Sequence, residues 1–229
     1  FDNYRDMVSG RHWSLMTHVV NLSMCLKSEA LVSRYKSIKD PSAFARKALS
    51  ILERYHGMAV GHFTGDECVS GNSPVQGTEL CGIVEAMYSY EWLLAISGET
   101  EWADRLEKLA FNALPATLSE DMWTHQYLQT TNQVACCKMP EDDILFRTNN
   151  GEAHLFGLEP NFGCCTANFN QGWPKLAEST FMRTADGIAS SVLLPMEAKL
   201  EYEGASIICR LETDYPFREK NKKKKKIKK

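Results

Sequence analysis

No stretch of about 18 apolar residues occurs in this 229-residue chain, so no membrane-spanning helix is expected. It begins Phe1-Asp2-Asn3-Tyr4-Arg5, without a starting Met or a signal peptide, so it reads as a fragment and carries no compartment signal. Its eight cysteines (25, 68, 81, 136, 137, 164, 165 and 209) include no Cys-x-x-Cys pair, and their spacing is not that of a small disulfide scaffold, which a chain of this size does not need. Two of the pairs are vicinal, Cys136-Cys137 and Cys164-Cys165, an awkward arrangement for a disulfide; a reduced compartment or protection by a metal fits them better. The body of the chain also lacks positive charge. Residues 220–229 hold eight lysines, and without them 18 Lys+Arg face 29 Asp+Glu, a balance of −11 over residues 1–219. An acidic body disfavours nucleic acid as a partner. The lysine run itself is low in complexity and is expected to be a solvated tail, disordered or the product of a translated poly-A stretch.

What is present is enough apolar and aromatic residue for a folded domain, 44% and 10% of the chain. Two segments repeat one supersecondary unit. In residues 17–56, Val20, Met24, Leu31 and Tyr35 recur near helical spacing, Lys39-Asp40-Pro41 breaks the pattern, and Phe44, Ala48, Leu49, Leu52 and Tyr55 resume it up to Gly57. In residues 78–114, Ile83, Val84, Met87, Tyr90, Trp92 and Leu94 mark a strongly apolar helix, Ser97-Gly98-Glu99 ends it, and Trp102, Leu106, Leu109 and Ala110 line the next. Each is an αα-hairpin, and repeated αα-hairpins imply a helical array or an α/α toroid. Between them, residues 61–77 are rich in turn formers, and long loops in compact domains are often functional. Residues 115–162 show no clean period. Residues 169–182 read as one more helix, with Pro174 a kink or early-turn residue. Beyond Asp186-Gly187 the residues alternate: 188–194, 199–202 and 206–212 read as short strands. The fold class is therefore mainly α, giving way to the start of a β domain.

Two short motifs carry candidate chemistry. Glu79 and Cys81 follow a Gly-Thr turn at a helix start, and Cys164-Cys165 follow Gly163. Three thiols and a carboxylate suit a four-coordinate zinc site, and zinc would keep a thiol ionised at neutral pH. The plain alternative is four unrelated residues, with the cysteines buried as small hydrophobes. Glu67, in Thr64-Gly65-Asp66-Glu67-Cys68, suits a general acid/base if its neighbour Asp66 raises its pKa, or is simply solvated. His18, His125 and Tyr127 could hydrogen-bond a polyhydroxylated ligand or be satisfied structural residues. Trp13, Trp92, Trp102, Trp123 and Trp173 are mostly core candidates, and one or two of them could form a sugar-stacking platform. Cys136-Cys137 has no Glu-x-Cys partner nearby and reads as structural, or at most redox-sensitive.

The motifs Gly65-Asp66-Glu67, Gln76-Gly77-Thr78-Glu79-Leu80-Cys81, the run 102–116, His125-Gln126-Tyr127-Leu128-Gln129, the run 157–168 with its Gly163-Cys164-Cys165, and Gln171-Gly172-Trp173-Pro174-Lys175 occur in that order. Together they resemble glycoside hydrolase family 127, the β-L-arabinofuranosidase-like proteins, from His12 to Phe217. The resemblance implies a partial (α/α)6 barrel over residues 1–184, the C-terminal part of a catalytic domain, then the start of a β-sandwich over 185–217, with 218–229 outside both. It implies a retaining glycosidase with a carbohydrate substrate and a Zn2+ ion. Cys164 would be the nucleophile, Glu67 the acid/base (Asp66 the weaker candidate), and Glu79, Cys81, Cys164 and Cys165 the metal ligands. His18 and Tyr127 match sugar-binding positions, and Glu107 a supporting one. The fragment alone is expected to be inactive. The alternative is a non-catalytic module, either metal-stabilised and helical or carbohydrate-binding.

Overall fold

A computed structural model describes residues 16–140, 142, 151–159, 161–215, 217, 218 and 221–228. Trp13 lies outside them. The chain divides into two compact units, Phe1–Leu176 and Ala177–Lys229. The first is helix-rich. It holds α1 (Val19–Cys25), α2 (Ser28–Ser33), α3 (Ala43–His56), α4 (Leu80–Ser97), α5 (Glu101–Lys108) and most of α6 (Gly163–Ser179), with the short strands β1 (Gly77–Glu79) and β2 (Leu128–Thr130).

The two αα-hairpins form where the apolar spacing places them, with one difference. The first arm of the first hairpin is not one helix but two, α1 and α2, separated at Leu26 and Lys27. The Lys27 ammonium donates to Met24 O at 3.2 Å and to Ser89 Oγ at 3.3 Å, so a charged side chain is held in the break and tied to α4. Helix α4 is apolar on nearly every side and is the central element, packed against α1, α2 and α5. Its Leu80, Ile83, Met87 and Leu93 are fully buried, each worth roughly 1.5–3 kcal/mol of transfer from water. Gly98 ends it at φ 72, a left-handed turn that a side chain would strain.

After α5 the helix widens into a π-type turn, Leu109–Ala113, which frees carbonyls from the regular ladder. Two are taken up by the site-bearing segments: Trp173 Nε1 donates to Ala110 O at 3.0 Å, and Gln129 Nε2 to Ala113 O at 2.7 Å. This seats α6 and β2 on the second hairpin. β1 and β2 pair antiparallel, Gly77 opposite Thr130 and Glu79 opposite Leu128.

Helix α6 departs from the sequence reading at both ends. It starts at Gly163 rather than 169, so Cys164 and Cys165 lie in its first turn, and it stops at Ser179 because Phe181–Thr184 already form a strand. Pro174 is consequently interior, where its missing N–H removes one bond of the ladder.

The second unit is built of antiparallel strands: β3 (Phe181–Thr184) with β4 (Gly187–Ser190), and β5 (Met196–Tyr202), β6 (Ala205–Thr213) and β7 (Asn221–Lys228) in the order β5-β6-β7. Strand β7 falls on the lysine run, which the sequence marked as a solvated tail, disordered or artefactual. Its backbone pairs with β6 from Thr213↔Asn221 to Ser206↔Lys228, because the free edge of β6 offers a row of N–H and C=O groups that any extended backbone can satisfy.

Candidate active site and metal centre

The site is assembled by three segments of the first unit. The loop before β1 comes first. Gly65 packs on α1 so closely that a Cβ there would stand 2.2 Å from Val19 Cβ, and this brings the following Asp66 and Glu67 against the start of α1. Gly65 N donates to Gly77 O at 2.8 Å and Glu79 N to Gly65 O at 3.0 Å, stitching the loop to β1. Glu67 itself is at φ 63, an uncommon conformation for a side-chain-bearing residue. Its main chain is clamped there, with Val19 N donating to Glu67 O at 2.8 Å and Glu67 N to the Tyr127 hydroxyl at 3.1 Å. Held strain of this kind clusters at functional sites.

The second segment is the bend at Tyr127 that leads into β2. Leu80 N donates to Tyr127 O at 2.9 Å, so the buried Tyr127 lies beside the start of α4. Its ring stacks on Phe162, with centroids 3.9 Å apart, which fixes the hydroxyl's direction. The hydroxyl donates to Glu79 Oε2 at 2.5 Å and lies 3.1 Å from Glu67 Oε1. The other Glu67 oxygen is 3.1 Å from His18 Nε2. His18, Glu67, Tyr127 and Glu79 thus form one hydrogen-bonded chain.

The third segment is the first turn of α6. The sulfurs of Cys81, Cys164 and Cys165 all lie within 4.8 Å of one another. Cys81 and Cys165 are 3.4 Å apart although 84 positions separate them in sequence. Cys81 and Cys165 are buried, whereas Cys164 is exposed. Asn168, one turn after Cys164, donates through Nδ2 to Cys81 Sγ at 3.2 Å and to Cys164 O at 3.1 Å. His125 and Thr166 meet at 3.0 Å (Nε2 to Oγ1), and the ring of His125 lies against Phe169. The sequence pattern assigned nothing to Asn168 or Thr166; the i, i+4 spacing from Cys164 identifies Asn168 only once the helix is known to begin at Gly163.

The electrostatics follow from burial of like charges. Burial raises the Glu79 carboxyl, the Tyr127 hydrogen bond opposes this, and charge on Glu67, Cys164 and Asp66 adds to it, pushing the group up to about 8. Hydrogen bonding from Cys165, then Cys81, holds the Cys164 thiol well below its usual range. The contact with Cys164 is the largest cause that pushes Cys81 and Cys165 up, with burial adding to it, while the Cys165 contact partly offsets the rise at Cys81. Burial lowers His125.

Of the residues singled out in the sequence, the structure brings Cys81, Cys164 and Cys165 into one cluster, and His18, Glu67, Tyr127 and Glu79 into one chain. Glu79 is not in the 4.8 Å sulfur group; its carboxylate is turned to Tyr127. Asp66 is buried and bridges Cys68 through its backbone. Glu107 is half-buried on α5. Cys136 and Cys137 are exposed.

The profile of the GH127 catalytic domain, β-L-arabinofuranosidase, matches residues 57–178, more than half of the chain and the whole stretch from the Glu67 loop to α6. The chain belongs to this family. No curated protein matches it. Among solved structures, it is similar to the GH127 β-arabinofuranosidase BT3674, with 19% identity and a TM-score of 0.62 over 87% of this chain and 30% of that one. It is also similar to Ara127N-Se, a GH127 β-L-arabinofuranosidase from Geobacillus stearothermophilus T6, with 13% identity and a TM-score of 0.67 over 92% and 33%. A third, named glycoside hydrolase, shows 13% identity and a TM-score of 0.63 over 87% and 36%. These likenesses show a shared fold. The GH127 chain described here spans about a third of the length of the structures it matches. Among the described residues no helix is long and apolar enough to cross a membrane.

Proposed function

We propose that this chain carries the nucleophile and the acid/base of a retaining glycoside hydrolase acting on β-L-arabinofuranosides or related glycosides. The observation that supports it is the convergence of three sulfurs, of which Cys164 alone is exposed, beside carboxylates bridged by Tyr127. The exposure of Cys164 favours a sulfur that reacts, and so the enzyme over a metal-stabilised module. The helices would belong to an (α/α)6 barrel over residues 1–184, and the strands that follow to the start of a β-sandwich over 185–217.

The donor set fits a borderline-soft divalent ion. Three sulfurs within 4.8 Å of one another suit zinc, with Glu79, two residues before Cys81, as the oxygen donor. Cys81, Cys164, Cys165 and Glu79 would hold it. Bound there, zinc would keep Cys164 ionised at neutral pH and fix the direction of its sulfur.

Cys164 Sγ attacks the anomeric carbon as the bond to the leaving oxygen breaks, and a proton from Glu67 passes to that oxygen. Glu67 then takes a proton from water, whose oxygen displaces the sulfur from the same carbon. Two inversions retain configuration, with a thiolate where most retaining glycosidases use a second carboxylate. The Tyr127 hydroxyl has one proton and gives it to Glu79. When Glu67 carries the proton that the first step needs, Tyr127 accepts from the Glu67 carboxyl and from Glu67 N, and all its contacts are satisfied together. His18 orients Glu67 from the other side, and with Tyr127 would meet the sugar hydroxyls.

The test is a trapped intermediate. In a full-length form of the protein, a Glu67→Gln variant given zinc and an aryl β-L-arabinofuranoside whose leaving group needs no acid should accumulate one pentosyl unit on the peptide containing Cys164, read by mass spectrometry. An adduct on another residue, or none with zinc and sugar bound, contradicts the assignment; the second of these outcomes is that of a non-catalytic carbohydrate-binding module.

A further inference from the structure

The hairpin that carries His125 ends in an exposed indole. Ser119 N donates to Thr124 O at 2.9 Å, and Leu118 bridges His125, closing a tip over residues 120–123. The tip is fastened from within: Ser119 Oγ donates to Asp121 Oδ1 at 2.6 Å, Trp123 N to the same oxygen at 3.0 Å, and Thr124 N to Ser119 Oγ at 2.9 Å. It presents Trp123, 73% exposed, while Trp102 is fully buried and Trp92 and Trp173 are half-buried.

The position of that indole relative to the site follows from the backbone. His125 and Gly157 exchange N–H···O bonds at 3.0 and 3.1 Å, so Trp123, two residues before His125, is tied close to Leu158 and Glu159, the residues that follow Gly157. Leu158 is 60% exposed. Glu159 reaches the start of α6: its Oε1 is 3.2 Å from where a side chain on Gly163 would begin, one residue before Cys164. His125 touches Thr166, two residues after Cys164, at 3.0 Å. Trp123 and Leu158 thus lie within two residues of a bridge whose His125 and whose following Glu159 both reach the first turn of α6, where Cys164 is exposed.

We infer that Trp123, flanked by Leu158, is the stacking platform for the sugar ring on the leaving-group side of the bond that Cys164 attacks. The inference rests on the glycosidase reading of Cys164. The hydrogen-bonded groups that would grip the attacked sugar, His18, Glu67 and Tyr127, are buried or half-buried, so a ring linked to it leaves outward, past the exposed edge. A sugar ring offers an apolar C–H face to a flat indole while its hydroxyls stay hydrated. The exposed carboxylates Glu120, Asp121 and Glu159 around the platform repel a polyanion and accept hydroxyl hydrogen bonds, which selects a neutral oligosaccharide.

The zinc-loaded chain would be alkylated with iodoacetamide while titrated with methyl β-L-arabinofuranoside or with a β-linked L-arabinofuranosyl disaccharide. The disaccharide should protect Cys164 at about two- to tenfold lower concentration, the range expected of one aromatic stacking contact. Trp123→Ala should bring the two half-protection concentrations together, and Trp123→Phe should restore most of the gap. Trp123→Ala moving both equally, or neither, overturns the platform. Where neither sugar protects Cys164, the glycosidase reading fails and the platform is read separately. The Trp123 Nε1–H resonance, assigned with Trp123→Phe, then moves with the disaccharide and not with the methyl glycoside if the platform exists, and is unmoved if it does not.

Discussion

Two glutamates of the first unit sit in opposite worlds. Glu99, at the turn of the second hairpin, accepts from Ser42 Oγ at 2.5 Å, Trp102 Nε1 at 3.1 Å and Arg46 Nη1 at 2.9 Å. The Ser42 hydroxyl first, with Trp102 and Arg46 adding to it, holds its carboxyl down to about 2. Glu79 has one such donor, Tyr127, and is otherwise surrounded by burial, Glu67, Asp66 and Cys164, which push it up to about 8. A group that only holds the fold is given donors and cations. The site instead gathers acids and sulfurs against one another, an arrangement that favours a bound cation or extra protons.

The sharpest way to break the contrast is to remove a sulfur. Cys165→Ala should weaken zinc binding by more than about 100-fold, measured by competition with a chromogenic chelator, because a three-sulfur cluster loses a buried donor. Unchanged affinity would mean that the cluster is not the metal site. Asn168→Ala should cost about tenfold in the same assay, since it removes the N–H that faces Cys81 and anchors the first turn of α6.

The two carboxyls should also give opposite limbs in a pH profile of the metal-free chain. Glu79 is raised above its ordinary 4.5, so the folded state holds a proton that the unfolded state has released; stability falls as pH rises from about 4.5 to about 8, and Glu79→Gln flattens that limb. Glu99 is depressed below 4.5, so its stabilisation is complete above that value and is lost as pH falls toward 2; Glu99→Gln flattens the acid limb instead. Interchanged limbs in urea titrations across pH would refute the contrast. The smallest effect is that of Glu99→Ala, about 1–2 kcal/mol of stability from weakened hydrogen bonding to Trp102 and Ser42, with zinc affinity unchanged.

The legibility of these regions in the sequence differed for physical reasons. The αα-hairpins were readable because apolar residues such as Ile83, Val84 and Met87 recur at helical spacing over long runs. The convergence of Cys81 with Cys164-Cys165 could be suspected because thiols are scarce, eight in 229 residues, and a vicinal pair is chemically marked. The β1–β2 pairing was not: each strand is three residues long, too short for a period, and its partner lies about fifty positions away. The start of α6 was missed because Cys-Cys-Thr-Ala-Asn is a weak helix former, and its helix is fixed by tertiary contacts such as Trp173 to Ala110. The φ of Glu67, imposed by Val19 and Tyr127, leaves no mark in local sequence.

X-ray absorption at the zinc edge of the metal-loaded chain tests the central claim most directly. The account predicts one zinc per chain with a shell dominated by three sulfurs and completed by a lighter donor, reduced to two sulfurs in Cys165→Ala. A shell of oxygen and nitrogen alone, or a chain that takes up no zinc, would contradict it.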